Sequence, residues 1–345
     1  MQIKTLGRSG IEVTDICLGT MTWGSQNTEQ EGHAQIAMAR DAGITFMDTA
    51  EMYAVPGSPQ TSGRTEEIVG NWFAANKDRD RWVLATKIAG GGNAHIRGGR
   101  RPDATSVREA LEASLRRLRT DYVDLYQIHW PARGHYNFEN YWTYAPHRQD
   151  RADALDNMQE VLAALGDLVQ EGKIRQIGVS NETTWGLAQW LKLSEAHNLP
   201  RMATIQNEYS LVRRMFDQDL AELSHYEDVG LLAYSPLAGG LLTGKYLDNA
   251  TPAGSRRDYQ KGFWRLNPHS ERATRDYHAL AARHGLDPVQ MAIAFCRSRP
   301  FMTSTIIGAT STDQLRQVLG AIDLVLSPEL LSEIDAIHRD NPRPI

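Results

Sequence analysis

The sequence predicts an α/β fold of the (β/α)8 TIM-barrel class, and three observations carry that reading. Short apolar runs alternate with longer amphipathic segments, the pattern of βαβ units and a parallel sheet. The alternation can be counted eight times, at a spacing of roughly 30 to 40 residues. The rival arrangement, an open doubly wound sheet, wants Gly-x-Gly-x-x-Gly straight after the first strand and an acidic residue about 20 positions on. Cys17-Leu18-Gly19-Thr20-Met21-Thr22 lacks that turn.

In chain order, Met1–Val13 reads as a hairpin turning at Arg8-Ser9-Gly10. The eight barrel strands are expected at Ile16–Gly19, Thr45–Asp48, Val83–Lys87, Val123–His129, Gln176–Val179, Ala203–Gln206, Gly230–Ser235 and Thr305–Ile307. Helices are expected to begin near Glu31, Glu66, Ser106, Asn157, Thr183, Gln218 and Glu271, with the last after Thr312. Thr105-Ser106 precedes Val107, Leu111, Leu115 and Leu118, while Arg108, Glu109, Arg116 and Arg117 fall on the other face, which is a shell helix. Thr312-Asp313 opens another with Leu315 and Val318 inward. Gly90-Gly91-Gly92 is followed by no Lys-Ser/Thr pair, so it reads as a flexible loop and not a phosphate loop. Besides the Met1–Val13 hairpin, two stretches exceed the needs of a bare barrel, 131–156 after the fourth strand and 238–270 after the seventh. Both are βα loops of the C-terminal rim, where barrel enzymes carry their chemistry. The first holds Tyr136, Phe138, Tyr141, Trp142 and Tyr144 with His135 and His147, a composition suited to a pocket wall, a subunit contact or a small core of its own. Residues 1–345 read as one barrel domain with these two rim insertions.

Composition excludes several classes. There are 37 Lys and Arg against 42 Asp and Glu, a net charge of −5, whereas nucleic acid calls for a concentrated basic face. Cys17 and Cys296 are the only cysteines, so neither a disulfide framework nor a thiolate metal site is indicated. The sequence has no basic-then-apolar leader and no run of about 18 apolar residues. No membrane partner is expected, the protein reads as cytoplasmic, and no oligomeric state is read from the sequence.

Barrel geometry puts Asp48, Lys87 and His129 at the C-terminal ends of the second, third and fourth strands, with Tyr53 five residues beyond Asp48. Singly, each has an ordinary explanation as a loop cap, a solvated charge, a satisfied imidazole or a rim aromatic. Together they end consecutive units and would face one mouth, which separate structural roles would not produce.

The segments Met47-Asp48-Thr49-Ala50-Glu51-Met52-Tyr53, Ala85-Thr86-Lys87, Leu125-Tyr126-Gln127-Ile128-His129-Trp130 and Ile177-Gly178-Val179-Ser180-Asn181 resemble aldo-keto reductase motifs. The resemblance spans nearly the whole chain and is closest in wording to a bacterial, Tas-like branch of that family. It implies NADPH-dependent reduction of an aldehyde or ketone. Reducing a carbonyl needs hydride at the carbon and a proton at the oxygen, and Tyr53 is the expected proton donor. A free phenol has a pKa of ~10; the Lys87 charge would favour its phenolate. Asp48 would hold Lys87 in place, and His129 would hydrogen-bond the substrate oxygen.

Cofactor positions follow from the resemblance one by one. Gly19, Thr20 and Met21 match the turn that touches ribose and nicotinamide, the ring of which would lie over Asp48 and Tyr53. Ser180, Asn181 and Gln206 match the strand ends that bind the carboxamide, and Tyr234 the aromatic on which the ring stacks. Ser235, Pro236, Leu237, Gly239 and Lys245, then Ser255 and Arg256, resemble the loop that holds pyrophosphate and phosphate. Gly308, Ala309, Thr310 and Gln314 match the loop and helix for the adenosine half. Two departures stand out: no basic residue lies at Thr310 or Ser311, and Val318 stands where Asn is common. Arg256 or Lys245 would supply the missing charge for a 2′-phosphate.

Two rival readings remain. Lys87 could be the Schiff-base lysine of a barrel aldolase, although an adjacent Asp48 opposes the depressed pKa such a lysine needs. The potassium-channel β subunits also resemble this chain in the Ser255-Arg256 loop, which would make it a dinucleotide-binding regulator. Trp23 and Trp130 are expected to line the substrate pocket, suggesting an apolar or aromatic carbonyl compound.

Overall fold

A hairpin of β1 (Ile3–Thr5) and β2 (Glu12–Thr14) opens the chain, in a computed structural model that describes residues 1–260 and 262–345. Eight parallel strands follow: β3 (Ile16–Gly19), β4 (Phe46–Asp48), β5 (Val83–Ile88), β6 (Val123–Ile128), β7 (Ile174–Ser180), β8 (Met202–Glu208), β9 (Gly230–Tyr234) and β10 (Met302–Ile307). Each bonds to the next and β10 returns to β3, which closes the expected (β/α)8 barrel. The helices are α1 (Glu29–Asp41), α2 (Arg64–Asn76), α3 (Ala104–Leu118), α4 (Arg151–Gln170), α5 (Thr184–His197), α6 (Asp219–Glu227), α7 (Arg256–Tyr259), α8 (Pro268–Arg283), α9 (Pro288–Arg297), α10 (Thr312–Leu319) and α11 (Pro328–Asp340).

Alternation along each strand sorts side chains between two layers. On β6, Leu125 turns inward with Cys17, Phe46, Ala85, Leu232 and Ile306, while Tyr126 and Ile128 join the layer beneath the helices. Helix α3 buries Val107, Leu111, Leu115 and Leu118 as its spacing predicts. Its cap is Asp103, which accepts from the Ser106 amide, two residues before the expected start signal. Helix α10 buries Leu315 and Val318 and is capped by Ser311.

The hairpin adds Leu6, Ile11 and Val13 to the inner cluster and closes the N-terminal mouth. Its turn demands Gly7: φ is +50°, and a Cβ there would stand 2.5 Å from the Ala203 carbonyl oxygen.

Several expected boundaries move. Helix α4 begins at Arg151 and not near Asn157, because Asp150 caps the Ala152 and Asp153 amides; the rim excursion is therefore 131–150. The second excursion contains α7 and ends where α8 begins at Pro268. Helices α9 and α11 were not expected. Helix α9 is buried at Val289 and from Met291 through Cys296, with only Gln290 and Arg297 polar among its ten residues, and α11 lies beyond the eighth unit.

Candidate active site

Strand ends and βα loops enclose a cleft of about 1460 Å³ along the C-terminal rim. Asp48 ends β4 and Lys87 sits one residue before the end of β5. Both are buried, and Lys87 Nζ donates to Asp48 Oδ2 at 2.5 Å and to the Thr49 carbonyl at 2.8 Å. Asp48 Oδ1 accepts from Gln206 Nε2 at 2.8 Å and Gln127 Nε2 at 3.3 Å. The ammonium lies 4.9 Å from the centroid of the Tyr53 ring. Tyr53 in turn meets His129 edge-on, with centroids 5.6 Å apart. Asp48, Tyr53 and His129 line the cleft, and Lys87 stands behind them.

Burial sets the protonation states. It raises the Tyr53 hydroxyl above the usual phenol value of 10.0, and the Lys87 charge opposes without overcoming it. The attraction of Asp48 and Tyr53 outweighs burial at Lys87, whose pKa is raised, so it is an ammonium. A Schiff-base lysine needs the opposite shift. Burial first and Lys87 second push His129 well below 6.5, leaving a neutral imidazole. Its Nδ1 is buried and finds no partner among the described residues.

Every residue expected to contact the dinucleotide lines the same cleft, from Gly19 at the end of β3 to Gln314 on α10. The Asn181 amide is engaged: Nδ2 donates to the His129 carbonyl at 2.9 Å and the Tyr234 hydroxyl donates to Oδ1 at 2.6 Å. Burial lowers the pKa of Lys245, and among the described residues the charge acting on it is the like charge of Arg256.

Of the two tryptophans, Trp130 lines the cleft and donates Nε1–H to the Gly91 carbonyl. Trp23 does not. It is fully buried against Gly32 and Ile68, with Nε1 on Gln35. From the aromatic rim loop, His135 and Phe138 reach the cleft, and Phe138 meets Trp130 edge-on at 6.3 Å; Trp142 is exposed. Gly91 and Gly92 also line it, and Gly90 packs so closely on Trp130 that a Cβ would clash. Sequence reasoning missed Trp264 and Arg265 in the second rim loop, and Val289 and Ile293 on α9. The Pro288 that starts α9 behind its Asp287 cap was the available signal.

Polar, chemistry-bearing groups at the C-terminal rim, above an apolar barrel plugged at its other end, form the arrangement of a barrel enzyme. The sequence profile of the Aldo/keto reductase family matches residues 15–339, and the chain belongs to that family. It is 46% identical to the protein tas of Escherichia coli (strain K12) over 98% of both chains. It is 31% identical to the uncharacterized oxidoreductase YrpG of Bacillus subtilis (strain 168), over 98% of this chain and 96% of that one. A probable voltage-gated potassium channel subunit beta of Oryza sativa subsp. japonica is 31% identical, over 99% and 98%. Among the described residues, no helix is long and apolar enough to cross a membrane and no side-chain cluster could hold a metal ion.

Proposed function

We propose that this chain is a single-domain, NADPH-dependent reductase of aldehydes or ketones, with Tyr53 as proton donor. The observation that carries the reading is the meeting of Tyr53 and His129 at the cleft wall, with the Lys87 ammonium 4.9 Å from the Tyr53 ring and fixed by Asp48. A reduced nicotinamide supplies hydride to the carbonyl carbon when bound. Tyr53 holds a proton at neutral pH and gives it to the substrate oxygen, and Lys87 then stabilises the phenolate left behind. Because a buried N–H without an acceptor is the costlier alternative at Nδ1, we assign the hydrogen of the neutral His129 to Nε2, from which it is donated to the same oxygen.

The residues present suit the dinucleotide. Lys245 and Arg256 are neighbouring cations at the cleft with no ion-pair partner among the described residues, a pair that an anionic phosphate relieves. Val289, Ile293 and Val318 form an apolar wall suited to a flat heterocycle. Trp130, His135 and Phe138 bound the other part of the cleft and favour an apolar or aromatic carbonyl compound.

The 31% identity to the rice channel subunit supports a second reading, a dinucleotide-binding regulator. One experiment separates them. NADPH oxidation is followed against aldehydes, ketones and quinones, and fluorescence titration gives Kd for NADPH and NADH. Turnover with tighter NADPH binding is expected. Binding without turnover favours the regulator, and equal Kd values overturn the NADPH preference.

A further inference from the structure

Gln127 is a side-chain amide with no exposed surface, inside the barrel on β6. It does not line the cleft. Its Nε2 donates to Asp48 Oδ1 at 3.3 Å, and its Oε1 accepts from Gln206 Nε2, also at 3.3 Å. Gln206 Nε2 donates to the same Asp48 oxygen at 2.8 Å. Two amides thus share one carboxylate oxygen while Lys87 takes the other at 2.5 Å. The neighbouring inward side chains Leu125, Ala85 and Leu232 are apolar. A leucine would fill the space of Gln127 without polar groups to satisfy, so what the amide adds is hydrogen bonding. Gly178 on β7 borders it, where a Cβ would stand 3.4 Å from Gln127 Cγ, an ordinary contact.

We propose that Gln127 is a positioning residue for the reduction: it locks the Asp48 carboxylate plane and thereby aims the Lys87 ammonium at Tyr53. The inference rests on the proton-donor reading above. Without Gln127, Oδ1 would keep a single donor, Gln206 Nε2, whose amide Gln127 Oε1 also holds; the carboxylate would then turn more freely about its last bond and carry the ammonium with it. With both oxygens held by donors from three strands, β5, β6 and β8, that rotation is blocked. The charged or titratable groups around the amide are Asp48 and Lys87, with Tyr53, His129 and the Cys17 thiol next in line.

Gln127→Leu and Gln127→Glu test this, with Tyr53→Phe as control. In Gln127→Leu, kcat falls roughly ten- to a hundredfold, the worth of a hydrogen bond to a charged group. KM and the NADPH Kd hold, because the residue touches no ligand, and Tm falls only slightly, because Asp48 Oδ1 keeps the Gln206 donor and a buried apolar isostere packs. A merely structural role would lower Tm and spare kcat. In Gln127→Glu the protonated carboxyl keeps the donor, so kcat is near wild type at low pH. It falls as pH rises through a carboxyl pKa raised by Asp48, a limb the wild type lacks. This variant decides if Gln127→Leu fails to fold. Wild-type kcat in Gln127→Leu, or a Gln127→Glu profile that superimposes on wild type, overturns the inference; if Tyr53→Phe is impaired in that same assay, the proton-donor reading survives it. Full turnover in Tyr53→Phe removes both.

Discussion

The hydroxyl of Tyr53 is pulled two ways, and burial wins over the Lys87 ammonium. The phenol therefore waits protonated at neutral pH, and the ammonium acts on the phenolate once the proton has left. His129 is shifted in the other direction and is neutral there too. The sign of the pH dependence follows. For the free enzyme, kcat/KM is expected to be flat between the ordinary imidazole value of 6.5 and the ordinary phenol value of 10.0. It falls below that window as His129 gains a proton, and above it as Tyr53 loses one. Steady-state rates across pH check this, and a limb inside the window would contradict it. Tyr53→Phe should lower kcat by about 10²–10⁴ with the NADPH Kd unchanged. Asp48, Lys87 and His129 were legible because a parallel barrel sends every strand end to one rim. The expectation for Trp23 fails because a sequence position does not say which way a ring turns; here it turns onto Gly32.

At the scale of elements, the first rim loop is tied to the end of β7. Arg133 Nη2 pairs with Glu182 Oε1 at 2.6 Å, Trp190 Nε1 donates to Glu182 Oε2 at 3.1 Å, and Asn137 Nδ2 donates to the Asn181 carbonyl at 2.7 Å. These bonds seat Phe138 against Trp130. Arg133→Met would leave the buried Glu182 carboxylate without its cation, a cost of about 3–5 kcal/mol. The expected outcome is a lower Tm, faster proteolysis within 131–150 and a higher carbonyl KM, with kcat changed much less. Limited proteolysis beside a KM measurement checks it, and an unchanged KM would show that the loop does not shape the substrate side. The strands were readable from apolar runs between polar breaks, but α9 was not, since two polar side chains in ten residues, Gln290 and Arg297, mark its outer face too thinly. The loop's aromatic content pointed to a pocket wall; that His135 and Phe138 face the cleft while Trp142 faces solvent is decided by the Glu182 and Asn181 ties.

Over the whole molecule the two barrel ends divide the work. The rim carries the cleft, and the hairpin closes the opposite mouth by adding Leu6, Ile11 and Val13 to the inner cluster. The hairpin was visible in sequence as a turn at Arg8-Ser9-Gly10. The requirement for glycine at Gly7 was not, because it arises from the carbonyls of Ala203 and Asp228, far along the chain. Gly7→Ala tests the division. Its φ of +50° disfavours a side chain, and the new Cβ would meet those oxygens at 2.5 and 2.7 Å. A strained backbone position of this kind costs on the order of 1–3 kcal/mol, which should appear as a lower denaturant midpoint with an unchanged slope. Because the contact lies at the N-terminal ends of β8 and β9, and the cleft at their C-terminal ends, kcat and KM of the folded fraction should match wild type. A loss of kcat in fully folded Gly7→Ala would mean that strain at the plug reaches Asp48 and Gln206 through the strands, and that the two ends are mechanically one.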